Sequence, residues 1–417
     1  MKFLKYHNIF WLVYFLLYYI GPIRYIVKAE TFFLVISMVI FGNIAYLFGY
    51  NIASKNTIIK PVDIGNRHII KEYRFLIFGT VLYLIFLLIK YIQLQNTYGF
   101  SFTLEGFTDF RSNVVMETLG DNIFGVASSI LSGFPALLIA FLIYNHNRLL
   151  KRQKSNIIII LIFSIISTFS SGGRNASFIL ILVYFVSSAL LKSQLPKMNF
   201  KTKAYIIIAL LSITFVFSKI FIDRAVQTSG DLGIYIEYFE KTKGFEIKPY
   251  ALSLIADSNL NFFFFPIFMF IDYVVHSLND FEITFNSSPK NFPYWGSYQF
   301  GSFTLLLSKI GLESMSINEI LSEIPNPGKY LTLFGGVYYD FGLFGTYIFI
   351  FIIYLLAGYY IRKFYLNSKY SDLIWFIYFY IIIILSPIYD VISVAIYPSF
   401  LVVILLNLIF RKFIKFK

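Results

Sequence analysis

Apolar runs of about 20 residues recur along the whole chain, and this is the length that a helix needs to cross the hydrocarbon core of a bilayer. The runs cover roughly residues 9–27, 31–50, 75–95, 122–144, 156–171, 176–191, 204–222, 335–360, 373–389 and 391–410. Apolar residues make up 58% of the 417 residues and charged residues only 14%, whereas a soluble chain has about 45–50% and about 25%. The sequence therefore predicts an all-α integral membrane protein with about ten transmembrane helices.

The links between these runs carry opposite charge on the two sides of the membrane. One set (1–8, 51–74, 145–154, 192–203, 361–372 and 411–417) holds 22 Lys/Arg and 3 Asp/Glu. The opposite set (21–30, 96–121, 170–175, 223–334 and 386–391) holds 11 Lys/Arg and 18 Asp/Glu. Because positively charged links stay in the cytoplasm, both termini are predicted to be cytoplasmic. The net charge of +13 is then a signal of topology, and it gives no reason to expect a nucleic-acid partner.

One further apolar run, residues 260–275, is short for a span and contains Pro266 and Asp272. If it crossed the membrane alone, the basic links at 361–372 and 411–417 would lie outside. That would contradict the rule that positively charged links stay in the cytoplasm. We therefore interpret it as interfacial or re-entrant, inside one large outer region at residues 223–334. No repeat or flexible linker divides the sequence. We expect a single polytopic membrane domain over residues 1–417, with an uncleaved first span and with 223–334 as an embedded outer cap.

Ionisable residues at membrane depth are costly and by default mark function. The first candidates lie in the tight turn between the fifth and sixth apolar runs. Gly172 and Gly173 permit a positive-φ turn, whose backbone N–H groups could hold an anion together with Arg174 and Asn175. The alternative is a hairpin turn with an arginine that only reaches the interface.

A second group, Lys219, Asp223 and Arg224, lies at the outer end of the 204–222 run. Lys219 and Asp223 are four residues apart and share a helix face, so they are predicted to pair. Arg224 is then available for a ligand, and its planar guanidinium suits phosphate oxygens. The alternative is a charge cluster that anchors the helix end.

The predicted cap carries further candidates. A histidine titrates near neutral pH, so His276 could act as a base, or it could be a polar interface residue. Asp280 and Glu282 follow it; carboxylates can bind a divalent metal, but two acids at this spacing are a weak signal, and we expect neither a metal nor another cofactor. Tyr294 and Trp295 could stack on sugar rings or lie in the interfacial aromatic belt.

The last candidates, Tyr339 and Asp340, lie where the 335–360 run begins. Asp340 places a carboxylate at membrane depth, and Gly342 and Gly345 allow close helix contact. Several other chemistries have no residues to support them. The chain has no cysteine, which excludes disulfides, thiolate metal sites and cysteine nucleophiles, and it has no P-loop, GxSxG or HExxH motif.

With these residues in view, the chain resembles the bacterial oligosaccharide repeat-unit polymerases, the Wzy-type polymerases of O-antigen and capsule. The resemblance lies in the many spans with both termini inside and in the single large outer loop before the last three spans. Three local matches add to it: the Ser171–Arg174 turn, Arg224 after the next outward span, and the Tyr339–Gly345 segment. A more distant likeness extends to the polyprenyl-linked (GT-C-like) glycosyltransferase folds.

The resemblance implies a metal-independent glycosyltransferase of the bacterial plasma (inner) membrane. Such an enzyme transfers a growing chain from undecaprenyl diphosphate to a hydroxyl of the next lipid-linked repeat unit at the outer face. Its partners would be the lipid bilayer, the undecaprenyl-diphosphate-linked oligosaccharide, a flippase and a chain-length regulator. The product would be O-antigen, as in lipopolysaccharide, or a capsular or exopolysaccharide.

The chemistry of this substrate fits the candidate residues. Fixed cations stabilise the charge that develops on a diphosphate leaving group, a role for Arg174 and Arg224. His276, Asp340 or Asp280 could serve as the base toward the acceptor hydroxyl. The remaining candidates are predicted to contact the substrate: Gly172, Gly173, Asn175, Lys219, Tyr294, Trp295 and Tyr339.

Two other functions stay open on the sequence alone. A lipid-linked oligosaccharide flippase also needs many spans and basic residues, although transporters more often have repeat-related halves with binding groups near the membrane midplane. An O-antigen ligase performs the same class of reaction with a different acceptor. The ligases carry a histidine just before the corresponding late span, and residues 326–332 contain none.

Overall fold

The structure of the protein is a computed structural model that describes most of the chain. The described residues are 2–25, 27–54, 66–98, 123–170, 174–191, 222, 232–243, 245–256, 261–287, 292–301, 304, 317–324, 331–393 and 396–415. They are mainly helical, as the apolar runs predict.

The helices follow one another along the chain with one short β-ribbon between them. The first half contains α1 (Lys2–Ile20), β1 (Ile23–Tyr25), α2 (Ala29–Ser54), α3 (Asn66–Tyr98), α4 (Ile123–Leu131), α5 (Phe134–Tyr144), α6 (Lys151–Ser170) and α7 (Arg174–Leu190). The second half contains α8 (Leu232–Lys243), β2 (Phe245–Ile247), α9 (Pro249–Ala256), α10 (Asn261–Val275), α11 (Ser277–Asn286), α12 (Ile317–Glu323), α13 (Leu333–Asn367), α14 (Tyr370–Leu385) and α15 (Ile396–Lys415).

Within the described residues, five segments are long and apolar enough to cross a membrane. They are Ala29–Ser54, His68–Gln93, Phe124–Tyr144, Leu333–Asn367 and Ile396–Phe413. The protein therefore has the character of an integral membrane protein. Helices also occupy most of the described parts of the 156–171, 176–191 and 373–389 runs, whereas the 9–27 run is helical only to Ile20 and then enters β1. The 204–222 run lies almost entirely outside the described residues.

The surface of these helices is apolar in stripes. On α2, Phe33, Ile40, Ile44 and Phe48 are all more than half exposed, and their spacing of seven, four and four residues places them on one helix face. A solvent-facing helix would place polar residues on that face. The stripe is therefore suited to contact with lipid tails, which accept apolar side chains without cost.

Helix α1 packs into the bundle beside α13 and α14. The Trp11 ring stacks on the Phe334 ring with 5.7 Å between centroids, and the Tyr354 hydroxyl lies 3.1 Å from Nε2 of His7. At its other end α1 leads into β1, which pairs antiparallel with β2 in the register Ile23 with Ile247. The ribbon ties the α1–α2 connection to the predicted cap.

Helices α10 and α11 bring the apolar and polar parts of the predicted cap together. Backbone hydrogen bonds continue through the junction at His276, whose N–H donates to the carbonyl oxygen of Asp272 over 2.9 Å. The apolar part, α10, has 15 residues and is therefore about 22 Å long, less than the roughly 30 Å of a hydrocarbon core. The interfacial or re-entrant interpretation of residues 260–275 stays a prediction.

Candidate functional site

The start of α13 is fixed against the loop that follows α14. Thr332 caps α13, because its hydroxyl accepts a hydrogen bond from the Gly335 N–H at 3.1 Å. Two backbone hydrogen bonds then join the neighbouring segments. The Leu333 N–H donates to the Ser386 carbonyl, and the Asp390 N–H donates to the Leu331 carbonyl at 2.7 Å. This pairing places two acids, Asp340 and Asp390, on either side of the 292–301 segment.

Asp340 binds the backbone of the turn at residues 294–299. Its Oδ1 accepts from the Tyr298 N–H at 2.9 Å, and its Oδ2 accepts from the Gln299 N–H at 2.8 Å. The side chain is fully buried. Both carboxylate oxygens are thus engaged by backbone donors, which leaves this carboxylate poorly placed to remove a proton from a substrate. A positioning role fits the geometry better than the predicted role as base.

A break in α13 makes the rest of this contact possible. Gly342 has φ 66° and interrupts the helix, a backbone conformation that glycine adopts without steric cost. Carbonyls one turn earlier lose their usual intrahelical partners at such a break. Those of Tyr339 and Asp340 instead accept from the N–H groups of Tyr294 and Trp295, at 3.0 and 2.9 Å.

Asp390 holds the side chain of Gln299 in the same buried region. Its Oδ2 accepts from Nε2 of Gln299 at 2.5 Å, and its Oδ1 accepts from the Ile392 N–H. Burial raises the pKa of Asp390 to about 8, although these hydrogen bonds oppose the shift. Only a glycine fits beside it, because a Cβ at Gly336 would lie 1.9 Å from Oδ2 of Asp390.

His276 and Asp280 form a buried pair at the start of α11. Nε2 of His276 lies 3.6 Å from Oδ2 of Asp280, and both side chains are almost completely buried. The other ring nitrogen, Nδ1, lies 2.8 Å from the carbonyl oxygen of Asp272. A carbonyl only accepts, so Nδ1 carries the hydrogen. In the neutral ring Nε2 is then the basic nitrogen, and Asp280 stands where it would stabilise the imidazolium.

Contacts from four parts of the chain hold the segment that carries this pair. Ser277 donates to the Pro387 carbonyl at 2.5 Å and lies 3.0 Å from the Tyr14 hydroxyl. The Tyr25 hydroxyl donates to Oδ1 of Asp272, and the backbone N–H of Lys28 donates to Glu282 at 2.6 Å. One oxygen of Glu282 is therefore bound by the α1–α2 connection.

The Ser277 hydroxyl connects the two groups, because Ser277 follows His276 and donates to the carbonyl oxygen of Pro387, three residues before Asp390. Tyr298 adjoins the second group through its backbone N–H, which donates to Asp340. Burial raises the pKa of its phenol well above the usual value, and Asp390, Asp340 and Asp280 add to the shift. The His276–Asp280 pair and the Asp340–Gln299–Asp390 cluster therefore belong to one polar region, which we call the polar site.

The structure places the predicted aromatic residues in two different environments. Tyr294 and Tyr339 are buried, and their rings lie 6.1 Å apart. The Tyr294 hydroxyl donates to Glu323 at 3.2 Å. Trp295, in contrast, is 78% exposed. Of these three aromatic residues, only Trp295 offers its ring to a ligand from solvent.

The residues predicted to bind the diphosphate are not part of the polar site as the structure describes it. Gly172, Gly173, Lys219 and Arg224 lie outside the described residues. Arg174 and Asn175 begin α7, and their side chains are not among those described. The predicted diphosphate clamp thus stays a prediction. Within the described ranges, no three His, Asp or Glu side chains converge closely enough to hold a metal ion.

The polar site also contains residues that the sequence did not indicate as site residues, namely Asp272, Ser277, Gln299 and Asp390. Two of them had a signal: Asp272 is an acid within the short 260–275 apolar run, and Asp390 is a single acid in a short link between two apolar runs. Comparison with protein-family models, curated proteins and solved structures gives no match to this chain.

Proposed function

We propose that the protein polymerises undecaprenyl-diphosphate-linked oligosaccharide repeat units at the outer face of the bacterial plasma membrane. The observation that carries this proposal is the buried His276–Asp280 pair. A base of this kind, held in one tautomer beside a carboxylate, suits the removal of a proton from a sugar hydroxyl.

The reaction needs three events at the polar site. The hydroxyl oxygen of the acceptor sugar bonds to the anomeric carbon of the donor chain. The bond from that carbon to the diphosphate oxygen breaks, and its electron pair leaves with undecaprenyl diphosphate. The hydroxyl proton moves to Nε2 of His276 and is later released to water. The proton therefore moves to a ring whose positive charge Asp280 stabilises.

Cations are required for the other half of the reaction. The leaving diphosphate gains negative charge as the bond breaks, so fixed guanidinium groups lower the barrier. Arg174 and Arg224 are assigned this role on the predicted topology, which places both at the outer ends of their spans. The charge distribution of the links supports this orientation, and the five apolar helices support a location in a membrane.

The position of the polar residues favours an enzyme over a flippase. Transporters bind substrate near the membrane midplane between repeated halves. In the described chain, His276, Asp280 and Asp390 instead gather around helix ends and the loop after α14. An O-antigen ligase would use the same chemistry and differ only in its acceptor.

A reconstituted system tests the proposal. The lipid fraction of a deletion strain supplies the lipid-linked single repeat unit, and the purified protein in proteoliposomes is incubated with it alone. A polymerase extends it to a ladder of products two, three and more units long. A ligase gives product only when lipid A–core is added, and a flippase changes the leaflet of the substrate without extending it. Either result would overturn the proposal.

A further inference from the structure

We infer that Trp295 is a stacking platform for a sugar ring of the lipid-linked oligosaccharide, and that Asp340 is the positioning residue that holds it. This inference rests on the proposed function for the identity of the ligand. It assigns the two residues to one subsite, built on the turn at residues 294–299.

The backbone of Trp295 is held in an unusual conformation. Its φ is 52°, in the left-handed region that is unfavourable for a residue other than glycine. Gly296 follows with φ 92°. A bulky residue occupies such a position only when its surroundings determine the conformation. Here the Trp295 N–H donates to the Asp340 carbonyl oxygen at 2.9 Å, and the Asp340 carboxylate binds the turn three and four residues later.

The result is a rigid turn with an exposed indole. The turn is bound at four backbone N–H groups, those of Tyr294, Trp295, Tyr298 and Gln299, all by Tyr339 or Asp340. Its neighbours Tyr294 and Gln299 are buried, yet Trp295 is 78% exposed. The other two tryptophans pack against aromatic rings, Trp11 on Phe334 and Trp375 on Tyr360.

Rigidity favours a sugar over lipid as the occupant. A tryptophan that only anchors the protein in the interface needs no fixed orientation, because lipid surrounds it whichever way it points. A platform that orients a sugar gains from a backbone that fixes where the ring is presented, because part of the ordering cost is met before the ligand binds. The apolar face of a sugar ring matches the face of an indole, whose N–H remains available as a donor.

The binding test uses Trp295 as its own reporter. In a W11F/W375F background Trp295 is the only tryptophan. Water-soluble repeat unit, released from its lipid by mild acid, is titrated into the detergent-solubilised protein. We expect a saturable change in fluorescence that D340N weakens by about tenfold. A response to lipid vesicles alone, with none to the oligosaccharide, would assign Trp295 to the membrane interface and overturn the inference, as would no response at all.

The kinetic test separates positioning from general folding effects. W295A should raise KM for the lipid-linked acceptor by about tenfold with little change in kcat, and W295F should restore most of the loss. D340N should cause the same change, and the double variant should be no worse than either one, because both lose the same contact. F33A, which removes an exposed ring from α2, serves as control.

Additive losses in the double variant would mean that Asp340 acts only on the fold. The two proposals also fail separately. A fluorescence response to the oligosaccharide without a product ladder would reject the polymerase function and support Trp295 as a sugar platform. A product ladder that W295A leaves unchanged would support the polymerase function and reject the platform.

Discussion

The imidazole of His276 faces the carboxylate of Asp280 across 3.6 Å, one helical turn further along the chain. Neither side chain has more than a few per cent of its surface exposed. Ionisable groups are rarely buried to this degree unless they are paired. The pairing distinguishes His276 from Asp340, because His276 faces a carboxylate that would stabilise its protonated form whereas Asp340 is bound by backbone N–H groups.

The orientation of the chain is tested by reporter fusions. Because basic links remain in the cytoplasm, fusions at Gln153 and Ser193 should report a cytoplasmic position and a fusion at Asn286 an outer one. Activity pairs such as alkaline phosphatase and green fluorescent protein give the two readings. A cytoplasmic Asn286 would mean that α10 crosses the membrane and that residues 223–334 do not form an outer cap.

If Arg174 and Arg224 hold the diphosphate, substitutions of Arg174 should shorten the surface glycan to different degrees. Arg174→Ala should shorten the surface glycan to a single repeat unit, and Arg174→Lys should leave a partial defect because lysine keeps the charge without the planar fork. The double variant with Arg224→Ala should be little worse than either one, since both would act on one leaving group. Chain lengths are read on a glycan gel at matched expression.

Arg24→Ala is the matched control for the clamp. Arg24 is exposed, and its Nη1 lies 3.8 Å from an equally exposed Glu246, a pair that contributes little to stability. Loss of Arg24 should therefore leave the glycan profile unchanged. If Arg174→Ala gives wild-type chain lengths, the 170–175 turn only connects two helices and does not bind the diphosphate.

A buried ion pair between α3 and α15 should dominate the stability of that end of the bundle. Nε of Arg411 lies 3.1 Å from Oε2 of Glu72, and Asn407 donates to Oε1 of the same carboxylate at 2.9 Å. Arg411→Ala leaves a buried carboxylate without its counter-charge, which costs about 3–5 kcal/mol. Glu72→Gln combined with Arg411→Ala should recover part of the loss.

Thermal unfolding in detergent measures this effect. Lys412 is the neighbouring residue and is exposed, so Lys412→Ala should unfold close to the wild-type temperature. If Arg411→Ala and Lys412→Ala unfold at the same temperature, the ion pair does not stabilise the fold.

The raised pKa of Asp390 predicts that the stability of the fold depends on pH. Burial raises its pKa from 3.8 to about 8, so the native state binds this proton more tightly than the unfolded chain. The resulting stabilisation is complete below about pH 4 and is lost as pH rises to about 8, by up to about 1.4 kcal/mol per pH unit. Asp390→Asn, which keeps the side chain neutral, should flatten this part of the profile.

Unfolding temperatures between pH 5 and pH 8 provide the comparison. Glu246→Gln changes an exposed acid and should retain the wild-type slope. An unchanged slope in Asp390→Asn would show that Asp390 is already ionised in the folded protein at these pH values.

The helices could be predicted from the sequence because the length of an apolar run is a local property. Helices α2, α3, α13 and α15 all coincide with predicted runs. The 122–144 run is also helical, but it divides into α4 and α5 where Ser132 and Gly133 separate them. A run of apolar residues does not reveal such a break, because the residues that cause it remain apolar or small.

The polar site was predictable only in part. His276 and Asp340 stood out because an ionisable side chain in an apolar context is conspicuous by itself. Asp280, the partner of His276, was also a candidate. The partners of Asp340 were not, because Asp340 binds backbone N–H groups of residues more than 40 positions earlier, and any sequence supplies such groups. Gln299 and Asp390 are 91 residues apart, so only the packing of the turn against the loop after α14 brings them together.

The most direct test of the account is the rate of repeat-unit polymerisation by His276→Ala in proteoliposomes. Removal of a general base slows its reaction by about 10²–10⁴-fold, so we predict single repeat units where the wild type makes a ladder. Asp280→Asn should cause a smaller loss, and His146→Ala, a histidine in the α5–α6 connection, should cause none. A wild-type ladder from His276→Ala at equal protein amount would contradict the account.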